Sequence, residues 1–264
     1  MVPIKQMVLL MNKIAPEQAA MDFDNCGLLV GRESDEVSRV LIALDVSSTV
    51  IDEAVKKGCE LIITHHPLIF KAEKKITDQS YQGDLLLKLI KNGIALYSLH
   101  TPLDAAKGGC NDVLCDIFGI KNTRGIDLIK NVDGVDYYCA RIGDKTASAR
   151  ELAAIAKEKL GASRINIVNG SKIINKIAVC SGSGGSCIKE AYDNGADCLI
   201  TGELSYHDAL YAKELGICVI ACGHYQTEIV AMQALTSYLQ DAINVLKYSV
   251  DLIKAETVTD PFDN

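Results

Sequence analysis

The chain has no tryptophan, only four phenylalanines and five prolines, and no long apolar run anywhere in its 264 residues. A helix needs about 20 consecutive apolar residues to cross a bilayer, so no membrane span is expected. Cationic side chains are also in deficit: 27 Lys and Arg stand against 34 Asp and Glu, a net charge of −7. Affinity for duplex DNA or RNA comes largely from Lys and Arg on phosphates, so a nucleic-acid partner is not expected. A small anionic substrate stays compatible if something local and cationic holds it. Ten cysteines are present, yet no C-x-x-C pair occurs, and many sit inside apolar runs such as "KIAVC" and "GICVIAC". Against a disulfide or zinc-finger reading, the cysteines read as small hydrophobes of a core. The apolar stretch "MVLLM" is too short for the core of a secretory leader. The expectation is a cytoplasmic protein with reduced thiols.

What is present is an internal repeat. "RVLIALDVSSTVIDEAVKKGCELIITHH" (Arg39 to His66) lies over "KIAVCSGSGGSCIKEAYDNGADCLITGE" (Lys176 to Glu203) without a gap, at a constant offset of 137 that puts Glu53 on Glu190. Each copy opens with an apolar run typical of a strand buried on both faces. A small-residue loop and a helix follow, the helix ending at Gly58 or Gly195, where glycine suits a left-handed cap. A second apolar run then leads to Thr64 or Thr201. This is a β-α-β unit, and parallel strands joined this way form a sheet covered by helices. "NGIALYSLHTPLD" and "LGICVIACGHYQTE" extend the likeness by a further strand. The fold class is α/β, with two related lobes and mostly parallel sheets. Residues 1–120 form the first lobe, 121–170 a small strand-helix-strand insert, and 171–264 the second lobe. Ser148 and Glu151 predict a capping box at the start of the insert's helix, which Gly161 follows.

In open parallel sheets, ligands collect beyond the carboxyl ends of the strands. All five histidines fall at such exits: His65 and His66 after Thr64, His100 after Leu99, His207 after Thr201 and Glu203, and His224 after Cys222. Adjacent side chains in a regular strand point to opposite faces, a constraint that lapses past the last paired residue. Pro67 biases His66 toward extended backbone, so His65 and His66 can serve two different cations. Asp104 and Glu228 are carboxylates able to bridge or balance such ions, and His224 and Glu228 share a face if a helix begins there. Imidazoles and carboxylates without thiolate suit Zn, Fe, Mn, Co or Ni, and two such ions about 3.5–4 Å apart would activate water for hydrolysis. Against this stands the reading in which these histidines only cap strand ends.

Other motifs are weaker. "SGSGGSC" follows a strand but lacks the G-K-[ST] of a P-loop, and Cys187 stands where a dinucleotide fingerprint has its third glycine. It reads as a tight turn, or as a loop offering backbone N–H groups to an anion. Ser205, His207 and Asp208 have the residue types of a hydrolase triad without a nucleophile elbow around them. His100, Glu203 and His207 are candidates for orienting a ligand or moving a proton. "KAEKK" (Lys71 to Lys75) reads as a solvated loop, or as a patch steering an anion.

"DFDNCGLLVG" (Asp22 to Gly31), "ITHHPLIF", "LHTPLDAAKGGCND", "SGSGGS", "TGELSYHDA" and "GHYQTE" together resemble the NIF-three family, whose members are often labelled GTP cyclohydrolase 1 type 2 homologues. The resemblance runs in order over nearly the whole chain. It implies a dinuclear metal site formed by the two lobes, two divalent ions per subunit (Zn, Fe or Mn), and a homohexamer. Matched by motif, its ligands are His65, His66, Asp104, His224 and Glu228. It implies a divalent-metal-dependent hydrolase, GTP cyclohydrolase 1 type 2-like, in which metal-bound hydroxide opens the guanine imidazole ring. The alternative is a non-catalytic metal-binding regulatory or scaffold protein. The sequence departs from the family at Phe23, where tryptophan is common, and at Tyr225, where many members have histidine.

Overall fold

The structure is a computed structural model that describes residues 1–262. In chain order its elements are β1 (Val2–Pro3), α1 (Ile4–Ile14), β2 (Gly27–Val30), β3 (Glu36–Val37), β4 (Arg39–Ala43), α2 (Ser48–Lys57), β5 (Leu61–Thr64), α3 (Tyr81–Lys91), β6 (Ala95–Ser98) and α4 (His100–Ala105). There follow α5 (Cys110–Phe118), β7 (Lys121–Val132), β8 (Val135–Ser148), α6 (Ala149–Ile155), β9 (Asn166–Val168), β10 (Ile173–Ser183), α7 (Ile188–Asp193), β11 (Cys198–Glu203), α8 (Tyr206–Leu215), β12 (Cys218–Ala221), α9 (His224–Leu246) and β13 (Asp251–Lys254). Two α/β units result. One takes Met1–Leu103 and Met232–Pro261, and the other is built on Asp104–Ala231. Among the described residues no helix is long and apolar enough to cross a membrane.

The first unit carries a five-stranded sheet in the order β13-β4-β5-β6-β2. Its first four strands are parallel, and β2 runs antiparallel to β6. Leu61, Ile62 and Ile63 are fully buried, as a strand covered on both faces requires. Leu41, Ile62 and Leu96 of the sheet pack with Val50, Ile51 and Ala54 of α2 and with Leu85 and Leu89 of α3. Burying such side chains contributes about 1.5–3 kcal/mol each before chain entropy is counted. Ser47 caps α2 by accepting from the Val50 N–H, and Gly58 ends it in the left-handed conformation at φ 66°.

The second unit carries a six-stranded sheet, β7-β8-β10-β11-β12-β9, whose centre β10-β11-β12 is parallel. The sequence repeat is reproduced in strand register. Val40 pairs with Leu61 and Ile177 with Cys198, while Ala43 pairs with Thr64 and Cys180 with Thr201; each second pair is the first displaced by 137.

The lobe boundaries expected from sequence differ from those found. Residues 121–170 are not a separate insert. The strand β8 pairs antiparallel with β10 from Arg141 to Ser148, β7 pairs with β8, and β9 closes the far edge on β12. Ala140 and Ile142 of β8 sit in the same core as Ala178, Ile188 and Leu199. The second lobe also does not keep the chain's end, because β13 adds parallel to β4. Local signals locate a strand or a cap; they do not say which sheet edge receives it. The predicted capping box at Ser148 and Glu151 is present, and α6 runs on as a π-helical turn before Gly161.

Candidate metal centre

In the first unit β5 ends at Thr64, and the chain bends so that the amides of both His65 and His66 donate to the Leu44 carbonyl, each at 3.1 Å. The His66 carbonyl accepts from the hydroxyls of Thr64 (2.8 Å) and Ser98 (3.2 Å), which pins the bend. Out of regular strand geometry, the two rings stand 4.9 Å apart, centroid to centroid. His100, on the neighbouring strand exit, completes a triangle at 5.6 Å from His65 and 5.8 Å from His66. His65 is wholly buried, and His100 has the uncommon positive φ of 41°. A non-glycine residue in that region costs energy that its surroundings must hold in place. Here the His100 N–H donates to the His65 carbonyl at 2.9 Å.

Two of the three imidazoles are backed by carboxylates. Nδ1 of His66 lies 2.7 Å from Oδ1 of Asp45, and Nδ1 of His100 lies 2.6 Å from Oδ1 of Asp24. A carboxylate accepts from the nitrogen that bears the hydrogen, so Nδ1 of each ring is the donor and Nε2 is the nitrogen a cation would meet. Asp24 also accepts from the N–H (3.1 Å) and hydroxyl (2.5 Å) of Thr101. Burial pushes the Asp24 carboxyl up, but the hydrogen bonds from His100 and Thr101 outweigh it, and its pKa lies below the ordinary value. Beside His66 a cavity of about 290 Å³ opens between Asp45, Leu68, Tyr81 and Gln82. Phe70 meets His100 edge-on at 6.0 Å and packs in turn on Phe23 at 6.1 Å, so the aromatic at position 23 buttresses this group through Phe70.

In the second unit α9 begins at His224, as its spacing to Glu228 anticipates, and Nε2 of His224 lies 3.2 Å from Oε2 of Glu228. Its Nδ1 lies 3.3 Å from Oε1 of Glu203. Glu203 occupies the repeat position of His66, and Gly182 that of Asp45. The missing side chain matters: a Cβ on Gly182, which has φ +58°, would stand 2.2 Å from Oε1 of Glu228 and 3.3 Å from Nε2 of His224. Asp104 accepts from the Ser181 hydroxyl at 2.9 Å, and the Asn111 amide reaches the Asp104 carbonyl at 3.0 Å and accepts from the Ser181 N–H at 2.8 Å. Arg141, nearly buried, donates to Asp112 (2.6 Å) and to the carbonyl of Ala105 (2.7 Å), bracing the end of the helix that carries Asp104. Cys110 is fully buried here. Burial pushes its thiol well up, and the charges of Asp104 and Glu228 add to the effect.

The sequence-predicted residues thus fall into two donor groups: His65, His66 and His100 in one unit, and Asp104, His224 and Glu228 in the other. Glu203 joins the second through His224. His207 does not join; it is exposed on α8, its ring edge-on to Tyr206. Ser205 and Asp208 form the capping box of α8, which accounts for both without a triad. Three amides of the glycine-rich loop already have acceptors within the protein: those at Ser181, Gly182 and Gly184 are taken by Asn111, Thr227 and Thr201. Lys71, Lys74 and Lys75 lie on an exposed loop. Sequence reasoning missed Asp24, Asp45, Gly182 and Arg141. Only the repeat alignment, with Asp45 over Gly182, carried a hint.

The donor set of imidazole nitrogen and carboxylate oxygen, with rings held in one tautomer by second carboxylates, fits a borderline divalent cation. Fold and site therefore define a class, the two-unit α/β proteins with residue groups able to bind metal. The chain belongs to the DUF34/NIF3 (NGG1p interacting factor 3) family, whose model matches residues 2–261. A protein of Clostridium acetobutylicum named GTP cyclohydrolase 1 type 2 homolog is 34% identical over 265 residues, covering 98% of this chain and 97% of that one. A Helicobacter pylori protein named GTP cyclohydrolase 1 type 2 is 31% identical, covering 85% and 86%. The crystal structure of Staphylococcus aureus protein SA1388 superposes with a TM-score of 0.89 at 29% identity, covering 100% and 99%.

Proposed function

We propose that the protein is a hydrolase dependent on divalent cations held by His65, His66, Asp104, His224 and Glu228, two per subunit, and that its substrate is a small anionic heterocycle of the GTP type. The observation that carries this reading is the pairing of His66 with Asp45, since an imidazole fixed this way is prepared as a metal ligand, with His100, fixed likewise by Asp24, standing beside it as an orienting group. When bound, such ions lower the pKa of a coordinated water toward ~7 and polarise the bond under attack. The chain's own residues do the remainder. Asp45 and Asp24 hold the protons on Nδ1 of His66 and His100 and fix the orientation of each ring. Oε1 of Glu203, exposed and 3.3 Å from His224, is positioned to take a proton out to solvent. Leu68 and Tyr81 offer the cavity beside His66 an apolar face for a planar ring, and the Gln82 amide adds a polar one. The substrate is drawn from the relatives' names, which label GTP cyclohydrolase 1 type 2 and its homologues. Assembly as a homohexamer belongs to the same proposal and is checked by mass in solution.

The test uses the full chain with metal restored, incubated with GTP and a panel of phosphate esters beside Glu228→Gln and Asp104→Asn. The reading expects about two ions per chain, metal-dependent formate release from GTP, and loss of both in the variants. Tight metal without turnover of any substrate moves the assignment to a binding or regulatory protein. Metal content unaffected by Asp104→Asn removes the proposed ligand set.

A further inference from the structure

Away from the histidines, three cysteines from three separate segments of the second unit meet. Cys139 lies on β8, Cys180 on β10, and Cys187 ends the short turn before α7. The sulfur of Cys187 is 3.3 Å from that of Cys139 and 3.3 Å from that of Cys180, and all three lie within 4.8 Å of one another. Cys180 and Cys187 are buried, whereas Cys139 is half-buried and opens the group toward the surface. We propose that Cys139, Cys180 and Cys187 form a three-sulfur site for a soft monovalent cation, copper(I) being the type.

Two arguments carry the assignment. Sulfur ligands about 2.3 Å from one ion stand about 4 Å from each other; two of the separations here are 3.3 Å and the third lies within 4.8 Å, close enough for one ion to draw all three sulfurs onto it. A core packed only for volume has no need of three sulfurs turned to one point, and the same core is otherwise filled by Ala178, Ile188, Ala191 and Leu199. Thiolates select soft ions and the imidazole and carboxylate groups select borderline divalent ones, so the two sets of donors would sort metals by softness. These cysteines pack in the core, as expected from sequence, and the proposal adds a ligand role to that packing.

The experiment titrates the full reduced chain with copper(I) under anaerobic conditions against a chromophoric chelator, and examines the product by X-ray absorption. One ion per chain with three Cu–S contacts is expected. Cys187→Ser and Cys139→Ser should each weaken binding at least 100-fold, while Cys59→Ser, which alters a buried cysteine of the other unit, should not. Circular dichroism confirms that each variant folds, and the half-buried Cys139 serves as the milder probe. A chain with His65 and His66 replaced by Ala should bind copper(I) as before. Binding that survives in the triple Ser variant, or that disappears with the two histidines, overturns the proposal. So does a chain that takes up no copper(I) but forms a Cys187 disulfide on mild treatment with peroxide, which marks a redox pair instead.

Discussion

Asp45 reaches His66 with one carboxylate oxygen, Oδ1, at 2.7 Å from Nδ1, while its other oxygen accepts from the Thr259 hydroxyl at 2.9 Å. The ring is therefore fixed from behind by a group that is itself fixed. That arrangement matters to a ligand because it removes rotation and tautomer exchange before a cation arrives.

Replacing Asp45 by Asn keeps the shape and removes the charge. Divalent metal affinity should fall about 10–100-fold, the usual cost of losing such a partner. Asp24→Asn tests whether His100 acts in the same way. Competition with a chromophoric chelator measures both, and unchanged affinity in each would detach the carboxylates from metal binding.

Gly182 is the position where added bulk acts most directly. Gly182→Ala drives a methyl into the Glu228 carboxylate at φ +58°, whereas Ser183→Ala, at an exposed neighbour, does not. A stability loss of about 1–3 kcal/mol is expected from strain and overpacking, together with at least tenfold weaker metal. Thermal unfolding and metal titration of the two variants side by side give the answer.

Glu53 sets a pH dependence unrelated to the site. Its carboxylate accepts from Lys57 (2.7 Å), from the Glu256 N–H (2.8 Å) and from the N–H and hydroxyl of Thr257 (3.0 and 2.6 Å). Burial opposes ionisation, but these hydrogen bonds outweigh it and bring the pKa from 4.5 down to about 2. Because the folded value is the lower one, the stabilisation is complete above the unfolded value and is lost as pH falls from 4.5 toward 2. Glu53→Gln should cost about 1–3 kcal/mol at neutral pH, and the gap to the parent should close over that window. A gap of constant size in denaturant unfolding at pH 7 and pH 2.5 would refute it.

Arg141 is braced in two directions, toward Asp112 and toward the carbonyls of Ala105 and Ala106. Arg141→Met leaves the carboxylate and the carbonyls without their donor, and a loss of about 3 kcal/mol is expected. Arg141→Lys should not restore it, since an ammonium cannot reproduce the planar fork. A double-mutant cycle with Asp112→Asn isolates the pair from the carbonyl contacts.

Ser205 provides a control on the chemistry. As the cap of α8 it should cost about 1 kcal/mol when changed to Ala, with any turnover left intact. A loss of turnover out of proportion to stability would return it to consideration as a nucleophile.

How far the sequence reached depends on range. The repeat was legible because a β-α-β unit writes its period into adjacent residues, and the register of Val40 on Leu61 and Ile177 on Cys198 follows that period. His65 and His66 stood out because strand exits are marked by local apolar runs and by Pro67. Glu228 stood out because i and i+4 share a helix face, once α9 begins at His224. Those features belong to the sequence alone. The tertiary structure decided the rest. The carboxylates behind the imidazoles, Asp45 for His66 and Asp24 for His100, come from 21 and 76 residues away, and which strand exit faces which follows from sheet order. The same holds for β8 joining β10, for Gly182 making room for Glu228, and for three cysteines turned to one point. Spacing along a chain encodes which face a side chain takes, but only packing determines what stands opposite it.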